Sequence, residues 1–103
     1  MKIKINGFIW TVLFFHRTNE PFDGQTSESA MTIRINVDQN PQIVKSTIAH
    51  ELCHAFLDSF GFGSFCKNRF TLEELCEFVA MNNDKIKLLA DQLMKEAEKN
   101  IGA

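Results

Sequence analysis

Tyrosine is absent from the chain, so no site built on it has a phenolic proton donor. Cysteine is scarce and odd in number, three in all with no C-x-x-C pair, which excludes a disulfide framework and suits a reducing cytoplasm. No apolar run exceeds Phe8 to Phe15, too short to cross a bilayer, so no membrane contact is expected. The first residues alternate Lys2, Ile3, Lys4, Ile5 and show no signal-peptide pattern, which again points to the cytoplasm. Basic clusters are missing too. The eight lysines and three arginines are scattered and the net charge is −2, so no nucleic-acid surface is expected. Internal repeats, low-complexity segments and linkers are lacking. What remains is enough apolar material, 45% of residues and ten phenylalanines, to fill one core, and residues 1–103 read as one domain.

Lys2–Ile5 alternates polar and apolar, and Asn6-Gly7 is a two-residue hairpin signal because both residues tolerate positive φ. Phe8–Phe15 then returns as a strand whose two faces are both largely apolar, predicting a central strand covered on both sides. Residues 16–28 read as a loop turning at Asp23-Gly24. Met31–Val37 alternates cleanly and predicts a half-exposed strand at or near a sheet edge, open to an added peptide strand. Asn40-Pro41 caps and opens a helix running to about Ser59, with Gly61 as its stop. Thr71 and Glu74 form a capping box for a second helix, with Leu75, Phe78 and Val79 as its apolar face. Asn82-Asn83-Asp84 is a candidate break before a last amphipathic helix that buries Ile86, Leu89, Ala90, Leu93, Met94 and Ala97.

The chemistry concentrates in His50-Glu51-Leu52-Cys53-His54, an H-E-x-x-H. On a helix, i and i+4 share a face, so both imidazoles can reach one metal ion. Glu51, one step round, can reach a water on that metal without ligating it. The plainer reading is an ordinary helix with two surface histidines and a solvated glutamate. Against it stands the stripe of Ile43, Val44, Ile48, Leu52, Ala55 and Phe56 beside the motif, which predicts a helix packed into a core. A catalytic site of this kind needs a third protein ligand. No histidine follows His54, and the positions an extended H-E-x-x-H-x-x-G-x-x-H would use hold Leu57 and Phe60. Glu73, Glu74, Glu77 and Cys66 are the candidates. Glu74 is engaged by the capping box, which favours Glu73 as ligand with Glu77 hydrogen-bonded to a ligand histidine. Cys53 and Cys76 read as core residues.

With these residues in view, the chain resembles a minimal gluzincin-type metallopeptidase domain, a short member of the ImmA/IrrE-like group of bacteria, phages and mobile elements. In that group a second helix carries E-x-x-A-[ND]-x-F-A, matched here by Glu73, Cys76, Glu77, Val79 and Ala80, three of them substitutions. The resemblance covers about residues 1–82 and implies an α+β, zincin-like fold. A small antiparallel or mixed sheet, made of the hairpin and the edge strand, would pack on the H-E-x-x-H helix, a ligand-bearing second helix and a C-terminal helix. It implies one zinc ion per chain at His50, His54 and Glu73. Glu51 would be the catalytic general base, activating zinc-bound water to hydrolyse a peptide bond in a protein or peptide substrate such as a regulatory protein. The oxyanion would need a donor other than tyrosine: His16, Arg34, Arg69 or a backbone N–H. The competing expectation is a metal-stabilised binding module, with little or no peptidase activity, that recognises a partner through the Met31–Val37 edge.

Overall fold

The computed structural model describes residues 1–16, 22–62 and 71–101. Lys2–Ile5 (β1) and Phe8–Phe15 (β2) form the expected antiparallel hairpin, and its turn holds Asn6 at φ 48° and Gly7 at φ 84°. Two positive φ values are what a tight I′-type turn demands, and Asn-Gly supplies them at low strain. Gly24–Ser27 (β3), Thr32–Asn36 (β4), Pro41–Ser59 (α1) and Leu72–Ile101 (α2) follow. The sheet order is β1-β2-β4-β3, with β2 and β4 parallel and the other pairs antiparallel. The class is α+β, a four-stranded mixed sheet with two helices, consistent with a small zincin-like fold.

One face of the sheet carries the core. Ile3, Ile5, Trp10, Val12, Ile33 and Ile35 point to α1 and meet Val44, Ile48, Leu52, Ala55 and Phe56. Each large apolar side chain so enclosed contributes about 1.5–3 kcal/mol. Trp10 is wholly buried, and its Nε1–H donates to Ser59 Oγ at 2.8 Å while Asn6 Nδ2 donates to the Ser59 carbonyl at 3.0 Å. The hairpin is thereby tied to the end of α1. Both ends of α1 follow the sequence. Asn40 Oδ1 accepts from the Gln42 N–H at 2.8 Å. Gly61, at φ 89°, donates to the Asp58 carbonyl and Phe62 to the Leu57 carbonyl, the paired bonds of a Schellman stop. At the start of α2, the Thr71 N–H donates to Glu74 Oε1 and the Glu74 N–H to Thr71 Oγ1, each at 3.1 Å.

The structure corrects several expectations. Residues 16–28 are not all loop, because Gly24–Ser27 pairs with β4 as a fourth strand. The Met31–Val37 stretch is therefore interior, between β2 and β3, and the edge beside α1 belongs to β3. β3 was hidden because its inward positions, Gly24 and Thr26, are not apolar. β2 is central but, among the described residues, covered on one face only: Ile9 and Leu13 on the outer face are about half exposed. Asn82-Asn83-Asp84 does not break the chain, and a single helix runs from Leu72 to Ile101. Asn82 lies wholly buried, with Nδ2 donating to the Phe78 carbonyl one turn back. With no Pro or Gly in the stretch, tertiary packing outweighs the weak helix preference of asparagine. Ile43, Leu75, Val79 and Cys76, all assigned to the core, are exposed.

Candidate metal centre

His50 and His54 leave α1 on one flank, exposed to solvent, while Glu51 turns toward β3 and is only 7% exposed. The two Nε2 atoms stand 3.2 Å apart with their rings inclined at 70°. Two nitrogens bound to one tetrahedral zinc ion, at about 2.05 Å each, are separated by about 3.3 Å. The imidazole pair therefore fits such an ion without changing its spacing.

Glu51 is held from outside its own helix. Thr26 Oγ1 lies 2.8 Å from Glu51 Oε1, to which it donates, and 3.2 Å from the Glu51 carbonyl. Glu51 Oε2 lies 3.9 Å from His50 Nε2. One carboxylate oxygen is thus tied to β3 and the other faces the histidine pair. The strand can come this close because residue 24 is glycine. A Cβ there would fall 2.5 Å from Thr47 Cγ2, 3.0 Å from Glu51 Cγ and 3.2 Å from the Arg34 carbonyl. Two open hollows flank β3 at this point. One, of about 550 Å³, is lined by Thr26, Glu28, His50, Glu51 and His54 among others. The second, of about 470 Å³, reaches from Asp23 and Gly24 along α1 past Thr47 to His50 and Glu51. Together they give the motif a solvent-open trough beside a strand edge.

The remaining sequence candidates lie elsewhere. Glu73, Glu74 and Glu77 are exposed in the first turns of α2, and Glu74 is spent on the capping box. Among the described residues, no three His, Cys, Asp or Glu side chains are gathered closely enough to hold a metal. The structure brings His50, Glu51 and His54 together and does not gather Glu73 with them. Cys66 and Arg69 lie outside the described residues. His16 Nδ1 is paired with Asp38 Oδ1 at 2.9 Å on the surface. Arg34 lies on the outer sheet face, its guanidinium over Phe15 at 4.6 Å and Phe22 at 5.5 Å. Neither side chain lines the hollows beside the motif. Cys53 is half-buried, and burial pushes its thiol up.

Thr26 and Gly24 are the residues that sequence reasoning missed. Their one signal was parity: 24 and 26 fall on one face if the segment is extended, but no apolar residue marked it as a strand.

No curated protein and no solved structure matches the chain. The Peptidase M78 family model, described as the IrrE N-terminal-like domain, matches residues 10–97. That span takes in the core of the sheet, the H-E-x-x-H helix and nearly all of α2, so the chain belongs to the IrrE N-terminal-like domain family.

Proposed function

We propose that the protein is a zinc-dependent metallopeptidase that hydrolyses a peptide bond in an extended segment of a protein substrate. The observation that carries this is the joint geometry of His50, His54 and Glu51: imidazole nitrogens 3.2 Å apart, with a carboxylate fixed beside them by Thr26. Membership of a peptidase family supports it. His50 and His54 would hold the ion, and the motif resemblance makes Glu73 the first candidate for third ligand. Zinc in that position would polarise the scissile carbonyl and acidify water.

The chain's own residues supply the rest. Glu51 is the general base. Thr26 engages Oε1, so Oε2, which faces the histidine pair, takes the proton from the attacking water and passes it to the departing amine nitrogen. β3 offers an edge that no strand among the described residues covers, where an extended peptide can add as a further strand and bring its carbonyl past Glu51. A reducing cytoplasm would suit this activity, since Cys53 and Cys76 are free thiols.

One observation favours a second reading, a metal-stabilised regulatory module with little peptidase activity. Tyrosine is absent, and His16 and Arg34 are engaged away from the motif, so neither of these two described candidates is placed to receive an oxyanion. Elemental analysis and a peptide-cleavage assay on wild type, His54→Ala and Glu51→Gln separate the two. The peptidase reading expects about one zinc per chain, lost in His54→Ala, and Glu51→Gln that keeps zinc but loses hydrolysis. Biological activity that survives Glu51→Gln unchanged would sink the peptidase and leave the module.

A further inference from the structure

We propose that the outward face of the first half of α2 is a self-complementary interface, on which two copies of the chain dock antiparallel about a twofold axis at Met81. The inference does not depend on the peptidase reading. None of the residues lining this face lines the hollows beside His50, Glu51 and His54.

The first half of α2 is thinly packed on its own chain. Between Leu72 and Lys85 only Phe78 and Asn82 are buried. Met81 and Leu88 stand 60% and 62% exposed. Single exposed apolar residues need no explanation, but these two stand at the rims of apolar hollows. One hollow, of about 250 Å³, is lined by Phe56, Phe60, Lys4, Lys85 and Leu88 among others. The other, of about 180 Å³, is lined by Phe60, Phe62, Glu74, Glu77 and Met81 among others. Phe60 and Asn82 line both, so the hollows adjoin.

Charge is what selects the occupant. At about 100° per residue, Glu74, Glu77, Met81, Lys85 and Leu88 fall within about 80° of arc and share one face of α2. The carboxylates of Glu74 and Glu77 rim one hollow, and the ammonium groups of Lys4 and Lys85 rim the other. Glu77 and Lys85 are spaced equally either side of Met81. An antiparallel copy centred on Met81 therefore sets Glu77 opposite the partner's Lys85, and Lys85 opposite the partner's Glu77. The same register brings Leu88 level with the partner's Glu74, at the hollow floored by phenylalanine. A parallel copy would set Glu77 on Glu77 and Lys85 on Lys85, and like charges oppose it.

Sedimentation equilibrium of the full chain, from micromolar to millimolar concentration, tests this with wild type, Glu77→Lys and Lys85→Glu. Wild type should form dimers. Each variant sets like charges together at both symmetry-related pairs and should weaken dimerisation by about tenfold or more. An equal mixture of the two variants restores opposite charges at both pairs and should dimerise about as tightly as wild type. A variant that merely misfolds could not be rescued in this way. Wild type that stays monomeric at millimolar concentration overturns the proposal. So do single variants that dimerise as wild type does, which would put the interface elsewhere, or a mixture no tighter than its components.

Discussion

Gly24→Ala is the sharpest test of how β3 is seated on α1. The new methyl would sit 2.5 Å from Thr47 Cγ2 and within 3.2 Å of both Glu51 Cγ and the Arg34 carbonyl. Thr47 is itself buried, so displacing its methyl disturbs packed neighbours, and the Arg34 carbonyl belongs to the β4 backbone. Two effects compete. Replacing glycine by alanine stabilises by about 0.4–1 kcal/mol, through the unfolded chain, where the backbone conformation allows it. Overpacking a close contact costs about 1–3 kcal/mol. The cost wins, and a net loss of about 1–2 kcal/mol is expected. In a domain of this size each kcal/mol lowers Tm by about 4–8 °C. Thr47→Ser removes the nearest obstructing atom at a cost of about 1 kcal/mol for the lost buried methyl. In the double variant the two losses should therefore not add, and a coupling of about 1 kcal/mol should appear in a double-mutant cycle of urea denaturation. A Gly24→Ala chain as stable as wild type, or losses that add fully, would refute this seating of the strand, and with it the contact through which Thr26 holds Glu51.

Two further outcomes follow from buried polar groups. Asn82 Oδ1 is buried with no hydrogen-bond partner among the described residues, and such an orphan costs about 1–3 kcal/mol, so Asn82→Leu, branched at the same atom and a better helix former, should raise Tm. A lower Tm would mean that the amide has a partner. Asp58 has its carboxyl pushed up by desolvation and by Glu28, so the native state favours the protonated form, and ionisation of Asp58 lowers stability as pH rises through its raised native value. Asp58→Asn should accordingly melt higher than wild type at neutral pH and lose that advantage below about pH 3, where the aspartate is protonated in both states. An advantage that persists there would assign the gain to something other than charge.

The site was only partly legible beforehand, for reasons that its residues make plain. The histidine pair and Glu51 lie within five consecutive residues, and helix geometry alone brings two imidazoles onto one face. Thr26 is 25 residues from Glu51, and its role depends on a strand with no apolar inward residue. The carboxylates of α2 are a different case: their spacing matches a motif, but spacing along one helix does not say where that helix meets another.

What the sequence determined by itself is local. Asn6-Gly7 turned the hairpin, Asn40-Pro41 and Gly61 bounded α1, Thr71 and Glu74 opened α2, and four residues' separation paired His50 with His54. In each case the partners are near neighbours in the chain, and one or two backbone conformations decide the outcome. Only the tertiary structure decided that β4 is interior and β3 the edge, that Asn82 is buried without breaking its helix, and that Gly24 and Thr26 press against Glu51. Those outcomes turn on which segments distant in sequence pack together, and packing can overrule a weak local preference of well under 1 kcal/mol per residue.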